Sequence, residues 1–194
     1  MDMKILSRNF YERKTEKVAK ELLGKILIRK INSKILSGKI VETEAYYGKE
    51  DPASRAYIGR PKYVVKLLYD EPGKALIYNV HANWLFNIVA HEKGKAGAIL
   101  IRAIEPIEGI EDMIKNRKIE NIFELTNGPG KLTKALKINK ELNGIFVTNI
   151  ESPIIIIEGM NEEIEICSSH RIGVSRNLKK KLRFFIKGNK FVSK

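Results

Sequence analysis

The chain has 194 residues, 43% apolar and 30% charged, which suits one folded domain with a real core and excludes a membrane-spanning protein. Its 36 Lys and Arg against 23 Asp and Glu give a formal charge of +13. That balance favours nucleic acid or another anionic surface, bound through neutralised phosphates and released counterions. The first predicted element is a helix from Thr15 to Leu23, with Thr15 as its cap and Gly24 closing it. Strands follow at Ile26–Ile31 and Ile35–Tyr46, joined by the turn Asn32-Ser33-Lys34. Asp51 to Arg60 reads as a loop, and Pro72-Gly73 opens a hairpin with strands Ala75–Val80 and Trp84–Ala90. An apolar strand covers Ala96–Ile104, and Pro106 starts a helix to Lys115. Asn127-Gly128-Pro129-Gly130 leads into a short helix, Lys131 to Lys137. Strands at Ile154–Glu158, Ile164–Cys167 and Leu182–Lys187 complete an α+β chain with a mainly antiparallel sheet.

Two absences narrow the class further. Apolar runs such as Pro153 to Ile157 are too short for a bilayer, and charge interrupts Met1 to Arg8 too early for a secretory signal core. Cys167 is the only cysteine, so neither an internal disulfide nor zinc-site spacing is available, and His81, His91 and His170 are too scattered for a metal site. A reducing compartment is expected: the cytoplasm, at the nucleoid, or the nucleus of a eukaryote. From Ile166 to Lys194 there is no acid, while Arg171, Arg176, Lys179, Lys180, Lys181, Arg183, Lys187, Lys190 and Lys194 are basic. A general lysine enrichment explains that run poorly, because glutamate does not rise with it.

The chemistry-bearing stretch is Ile40-Val41-Glu42-Thr43-Glu44-Ala45-Tyr46. Period-two alternation sends Ile40, Glu42, Glu44 and Tyr46 to one face and Val41, Thr43 and Ala45 to the other. A carboxylate pair beside an aromatic ring suits acid–base chemistry on a polyanion; a solvated strand edge is the plainer reading. Arg102 lies inside the apolar strand Ala98 to Ile104, where a guanidinium needs an acidic partner or a ligand, and Glu44 is the expected partner. Gly128-Pro129-Gly130-Lys131 before a helix presents either a phosphate contact or a simple helix-entry turn. Tyr78 to Trp84 mixes rings and amides at a hairpin tip, where side chains stack on bases or pack in a core.

Taken in order, these segments resemble the alkyladenine (methylpurine) DNA glycosylase family. The matching pieces are Glu21 to Arg29, Gly38 to Tyr46, Glu50 to Ser54 and Leu100 to Gly109. Asn127 to Leu132 with Ala135-Leu136 follows, then Arg171 to Val174 and Leu182 to Phe184. The resemblance implies a single α+β domain with a curved antiparallel sheet, flanking helices and a protruding hairpin. It implies a monofunctional enzyme, cofactor-free and monomeric, that hydrolyses the glycosidic bond of alkylated or deaminated purines flipped from duplex DNA.

By position, Glu44 is then the general base, and Arg102 with the main chain near Val174 holds the attacking water. Tyr46 and Tyr78 flank the flipped base, and Asn87 crowds the amino group of guanine. Arg55 stands where the family has histidine, so contacts to the lesion differ here. The family's Tyr-Gly-Met hairpin is replaced by Val80-His81-Ala82-Asn83, one residue shorter, which makes His81 the first candidate to enter the duplex and Val80 the second. Lys131, Arg171, Arg176 and Lys179 are the expected phosphate contacts. The competing expectation is a damaged-nucleic-acid-binding protein that keeps the fold without catalysis.

Overall fold

A computed structural model describes residues 4–159 and 162–193; Met1 to Met3 of the charged start and Lys194 of the basic run lie outside them. Two short helices, α1 (Arg8–Tyr11) and α2 (Thr15–Glu21), precede strands β1 (Ile26–Ile31) and β2 (Lys34–Tyr47). Helices α3 (Arg55–Ile58) and α4 (Lys62–Leu68) lead to β3 (Ala75–Val80), β4 (Asn83–Val89) and β5 (Gly97–Glu108). Then come α5 (Ile110–Arg117), α6 (Pro129–Ala135), β6 (Ile154–Ile157), β7 (Ile166–Ser169) and β8 (Arg183–Ile186). The strands form one sheet in the order β3-β4-β5-β2-β1-β6, with β8 joining β2 and β7 joining β8, and every pairing is antiparallel. The α+β architecture expected from the order of elements is the one observed.

Strand β2 is the spine. Its β-branched and aromatic residues suit a pleated, buried strand, and β5 pairs along nearly its whole length. On the other edge β1 pairs with Lys34 to Lys39, then leaves, and β8 takes over from Glu42 to Glu44. The two carboxylates therefore sit where β2 is flanked by strands on both sides. Thr43, between them, faces α2 and donates its hydroxyl to the Ala19 carbonyl at 2.8 Å. Leu27, Phe86, Ile99, Ile101 and Phe184 are fully buried in the apolar core around this spine.

The β2–β5 register skips Val41 on one strand and Arg102 on the other. Such bulges bend a sheet and re-aim side chains. Alternation accordingly restarts at Val41: Ile40 and Val41 both enter the core, so Ile40 does not share the carboxylates' setting as expected.

Three other expectations change. Thr15 does not cap α2; its hydroxyl donates to the Ala90 carbonyl at 2.8 Å, and Lys14 holds the cap position. Pro106 does not start a helix, because β5 continues to Glu108. The break comes at Gly109, whose positive φ and approach to the Ile35 carbonyl, 2.8 Å from where a Cβ would lie, leave no room for a side chain. The loop expected from Asp51 to Arg60 holds α3, capped by the Ser54 side chain, and α4 follows it.

Candidate active site

Glu44 is fully buried near the C-terminal end of β2, paired with Leu100 on β5 and Arg183 on β8. Its Oε1 accepts from the Ile172 amide at 2.8 Å, and its Oε2 from the Tyr46 hydroxyl at 2.7 Å. Arg102 reaches the same Oε2 through Nη1 at 3.3 Å. Burial pushes the Glu44 carboxyl above the ordinary range; Arg102, the Ile172 amide and the Tyr46 hydroxyl oppose that, while Glu42 adds to it. A base with a raised pKa holds a proton more strongly and sits closer to neutral operating pH.

The expected Glu44–Arg102 contact forms, but Arg102 is shared. Its Nε donates to Glu42 Oε1 at 3.0 Å, so one guanidinium spans both carboxylates. Burial likewise raises the Tyr46 hydroxyl well above its ordinary value, keeping it a neutral donor to Glu44.

The Tyr46 ring is seated by Arg171, whose guanidinium lies 4.6 Å from the ring centroid. Arg171 in turn grips Asp51 with both terminal nitrogens, at 2.6 and 2.8 Å, and donates to the Ala45 carbonyl at 2.9 Å. This corrects one expectation: with a fully buried side chain, Arg171 has no path to a phosphate and instead fixes the ring. Arg183, counted with the basic run, is also turned inward, against Glu42 at 2.6 Å.

Tyr46, Arg55, Tyr78 and Asn87 come together around a slot closed by Val64 and Leu68 of α4. The free space there is only about 10 Å³, less than a water molecule needs, so a purine enters only if the walls move. The Arg55 guanidinium lies 5.2 Å from the Tyr78 ring centroid, and Asn87 is anchored by its amide nitrogen on the Leu76 carbonyl at 3.0 Å. Val174 is half-buried in the loop after β7; the amide that reaches Glu44 is that of Ile172, two residues earlier.

At the hairpin tip His81 and Ala82 have φ of 47° and 61°, a two-residue turn of the kind that normally needs Asn or Gly, and Val80 closes the ladder opposite Asn83. The tip abuts α6, since a Cβ on Gly130 would lie 2.9 Å from Asn83. Lys131 bonds Asn127 at 2.8 Å on the wall of a cleft of about 350 Å³, shared with Arg102 and Lys190. Arg176 is exposed in the loop between β7 and β8. Lys179 lines a different groove, about 980 Å³ against α2 with Lys14 and Lys20, that includes none of the Glu44 cluster.

Glu42 was expected as one of the carboxylate pair, but not as the anchor of Arg102; Arg183, Ser193, Asp51 and the Ile172 amide were not singled out for the site. Arg183 carried the signal that exposed Arg102, a charge within an apolar strand. Helix α4 was not expected either; the α3–α4 segment that lends Arg55, Val64 and Leu68 to the slot also carries exposed Tyr57 and Tyr63 and the basic Arg60, Lys62 and Lys66. Among the described residues no group of histidine, cysteine and acidic side chains is arranged to hold a metal ion, and no helix is long and apolar enough to cross a membrane.

The chain thus carries a buried, cation-braced glutamate beside an aromatic slot on an antiparallel sheet. Residues 9–190 match the model of the methylpurine-DNA glycosylase family, and the chain belongs to that family. A relative from Clostridium perfringens (strain SM101, type A), named "Putative 3-methyladenine DNA glycosylase", is 45% identical over 97% of this chain and 98% of its own length. Proteins of the same name from Aeropyrum pernix and Francisella tularensis are 41% and 44% identical, covering 98% and 93% of this chain and 94% of each relative.

Proposed function

We propose that the protein is a monofunctional glycosylase that hydrolyses the bond between a damaged purine and deoxyribose in duplex DNA. The observation that carries this reading is Glu44: a fully buried carboxylate, raised in pKa, adjoining a slot walled by Tyr46 and Tyr78. In the proposed reaction Glu44 takes a proton from water as the water attacks the anomeric carbon, while its charge stabilises the sugar cation that forms. The Ile172 amide and Arg102 keep the carboxylate oriented. An alkylated purine already carries positive charge as it leaves, which favours the faces of Tyr46 and Tyr78. Asn87 crowds an amino group at the purine edge, and His81, or next Val80, fills the gap left in the duplex. Lys131 and Arg176, with the basic and aromatic residues of the α3–α4 segment, contact the phosphates.

The test is a panel of duplexes bearing methylated adenine, methylated guanine, hypoxanthine or ethenoadenine, each scored for free base with a chelator present. Release of at least one base, leaving an abasic site, is the expected outcome; Glu44→Gln should bind the lesion without releasing it. Arg55 over the Tyr78 ring and the replaced hairpin tip favour one alternative, a binder without catalysis, which predicts lesion binding by the wild type and no release under single-turnover conditions. Either reading requires affinity that falls steeply with salt, the slope shrinking by about one for each phosphate-contacting lysine removed.

A further inference from the structure

Glu42 has no part in the chemistry above, yet both its oxygens are engaged and it is fully buried. Oε1 accepts from Arg102 Nε at 3.0 Å, Arg183 Nε at 2.6 Å and the Ser193 hydroxyl at 2.8 Å. Oε2 accepts from the Ser193 amide at 2.7 Å. Arg102 Nη2 donates to the Ser193 hydroxyl at 3.3 Å, and Arg183 Nη2 donates to the Ser193 carbonyl at 3.0 Å. Strands β2, β5 and β8 and the segment at Ser193 thus converge on one carboxylate.

The consequence follows from the shape of arginine. A guanidinium is planar and rigid, so holding Nε and Nη2 leaves Nη1 little freedom. Nη1 is the atom that meets Glu44 Oε2, at 3.3 Å. The four charged side chains alternate in sign, Arg183, Glu42, Arg102, Glu44, and are 12%, 0%, 8% and 0% exposed. Water screens such a line poorly, so the charge at one member is felt by the next. We propose that Glu42 is a positioning residue, which holds the Arg102 guanidinium in the plane that aims Nη1 at Glu44 and shares its charge between the two carboxylates. The inference rests on the glycosylase reading of Glu44.

The titratable and charged groups facing Glu44 are Glu42 and Tyr46 on its own strand, Arg102 from β5, Tyr78 from β3 and Arg171 from the loop after β7. Facing Glu42 are Arg102, Arg183 and, across Arg102, Glu44. Neutralising Glu42 removes the adjacent negative charge that raises the Glu44 pKa, so Glu44 stays ionised to lower pH. The same change releases the Arg102 guanidinium from its plane, which slows the reaction and offsets part of that shift.

The experiment is single-turnover base release from a lesion-bearing duplex, followed from acid to mildly alkaline pH, with wild type, Glu42→Gln and Ser193→Ala. Glu42→Gln should lower the plateau rate roughly 100-fold, as expected for a displaced catalytic group, and move the acid limb to lower pH. A purely structural role lowers the active fraction and leaves that limb where it was. Ser193→Ala keeps the amide bond to Glu42 but loses the hydroxyl linking it to Arg102; release should slow severalfold with lesion affinity unchanged. That variant decides the matter if Glu42→Gln does not fold, and an unaltered rate in it overturns the proposal. Wild-type release with a superimposable Glu42→Gln profile refutes this inference alone. A wild type that releases no base refutes the glycosylase reading and the inference with it.

Discussion

Asp51 and Glu44 are both carboxylates without exposure, and each faces an arginine, yet their surroundings push them in opposite directions. Asp51 takes two bonds from Arg171 and one each from the amides of Tyr47, at 3.0 Å, and Ala53, at 3.1 Å. Burial alone pushes it up, but these donors together bring it below the ordinary value. Glu44 has one amide, one hydroxyl and a longer, shared contact with Arg102, and burial wins. A carboxylate saturated with donors is a rivet, whereas one left short of them keeps an appetite for a proton. The rivet also serves the chemistry at one remove, because the Arg171 it holds is the platform under Tyr46.

The contrast breaks most visibly if the two acids are neutralised in turn. Glu44→Gln should cut base release roughly 10²–10⁴-fold, the usual range for losing a general base, with lesion binding kept. Asp51→Asn should leave Arg171 buried without its counter-charge and cost about 3–5 kcal/mol of stability, read as a lower denaturation midpoint. Its activity should fall only as far as the folded fraction and the seating of Tyr46 do. A stable Asp51→Asn variant with full activity removes the distinction between rivet and base.

How much of this was legible in the sequence follows the same division. Glu44 and Tyr46 stood out because strand alternation places them together, and Arg102 because a charge interrupts an apolar strand. The bulges at Val41 and Arg102 left no trace, since skipping one residue changes register without changing composition. Arg171 and Arg183 were read as part of a basic run, because net charge counts a guanidinium equally whether it meets water or a buried acid. Their partners lie 120 and 141 residues away in the chain. Helices α3 and α4, of four and seven residues, are too short to be specified by local periodicity and depend on packing against β3 and the tyrosine slot. The sheet was readable because each strand carries its own pattern, whereas the ion pairs belong to the closed fold.

Acid titration separates the two carboxylates by sign. Glu44 has a raised folded value, so its contribution favours the fold below its unfolded value of 4.5 and is lost as pH rises through the folded one. Asp51 is depressed, so its contribution is present above its unfolded value of 3.8 and lost as pH falls through the folded one. At neutral pH Glu44→Gln should therefore melt above wild type and Asp51→Asn below it, with the Glu44→Gln advantage vanishing in acid. Equal shifts of both variants in one direction refute the assignment.

The smallest effect, and the finest probe, is Tyr46→Phe. It keeps the ring above Arg171 and removes only the hydroxyl bond to Glu44, a bond to a charged group worth about 1.5–3 kcal/mol. That bond helps hold Glu44 ionised, so its loss should raise the pKa of the base and move the acid limb of base release upward. Glu42→Gln is expected to move the same limb downward, so the two variants bracket wild type from opposite sides while both slow the reaction. Limbs that shift together trace to general loosening of the site, and the balance of donors around Glu44 then loses its claim to set the proton affinity of the base.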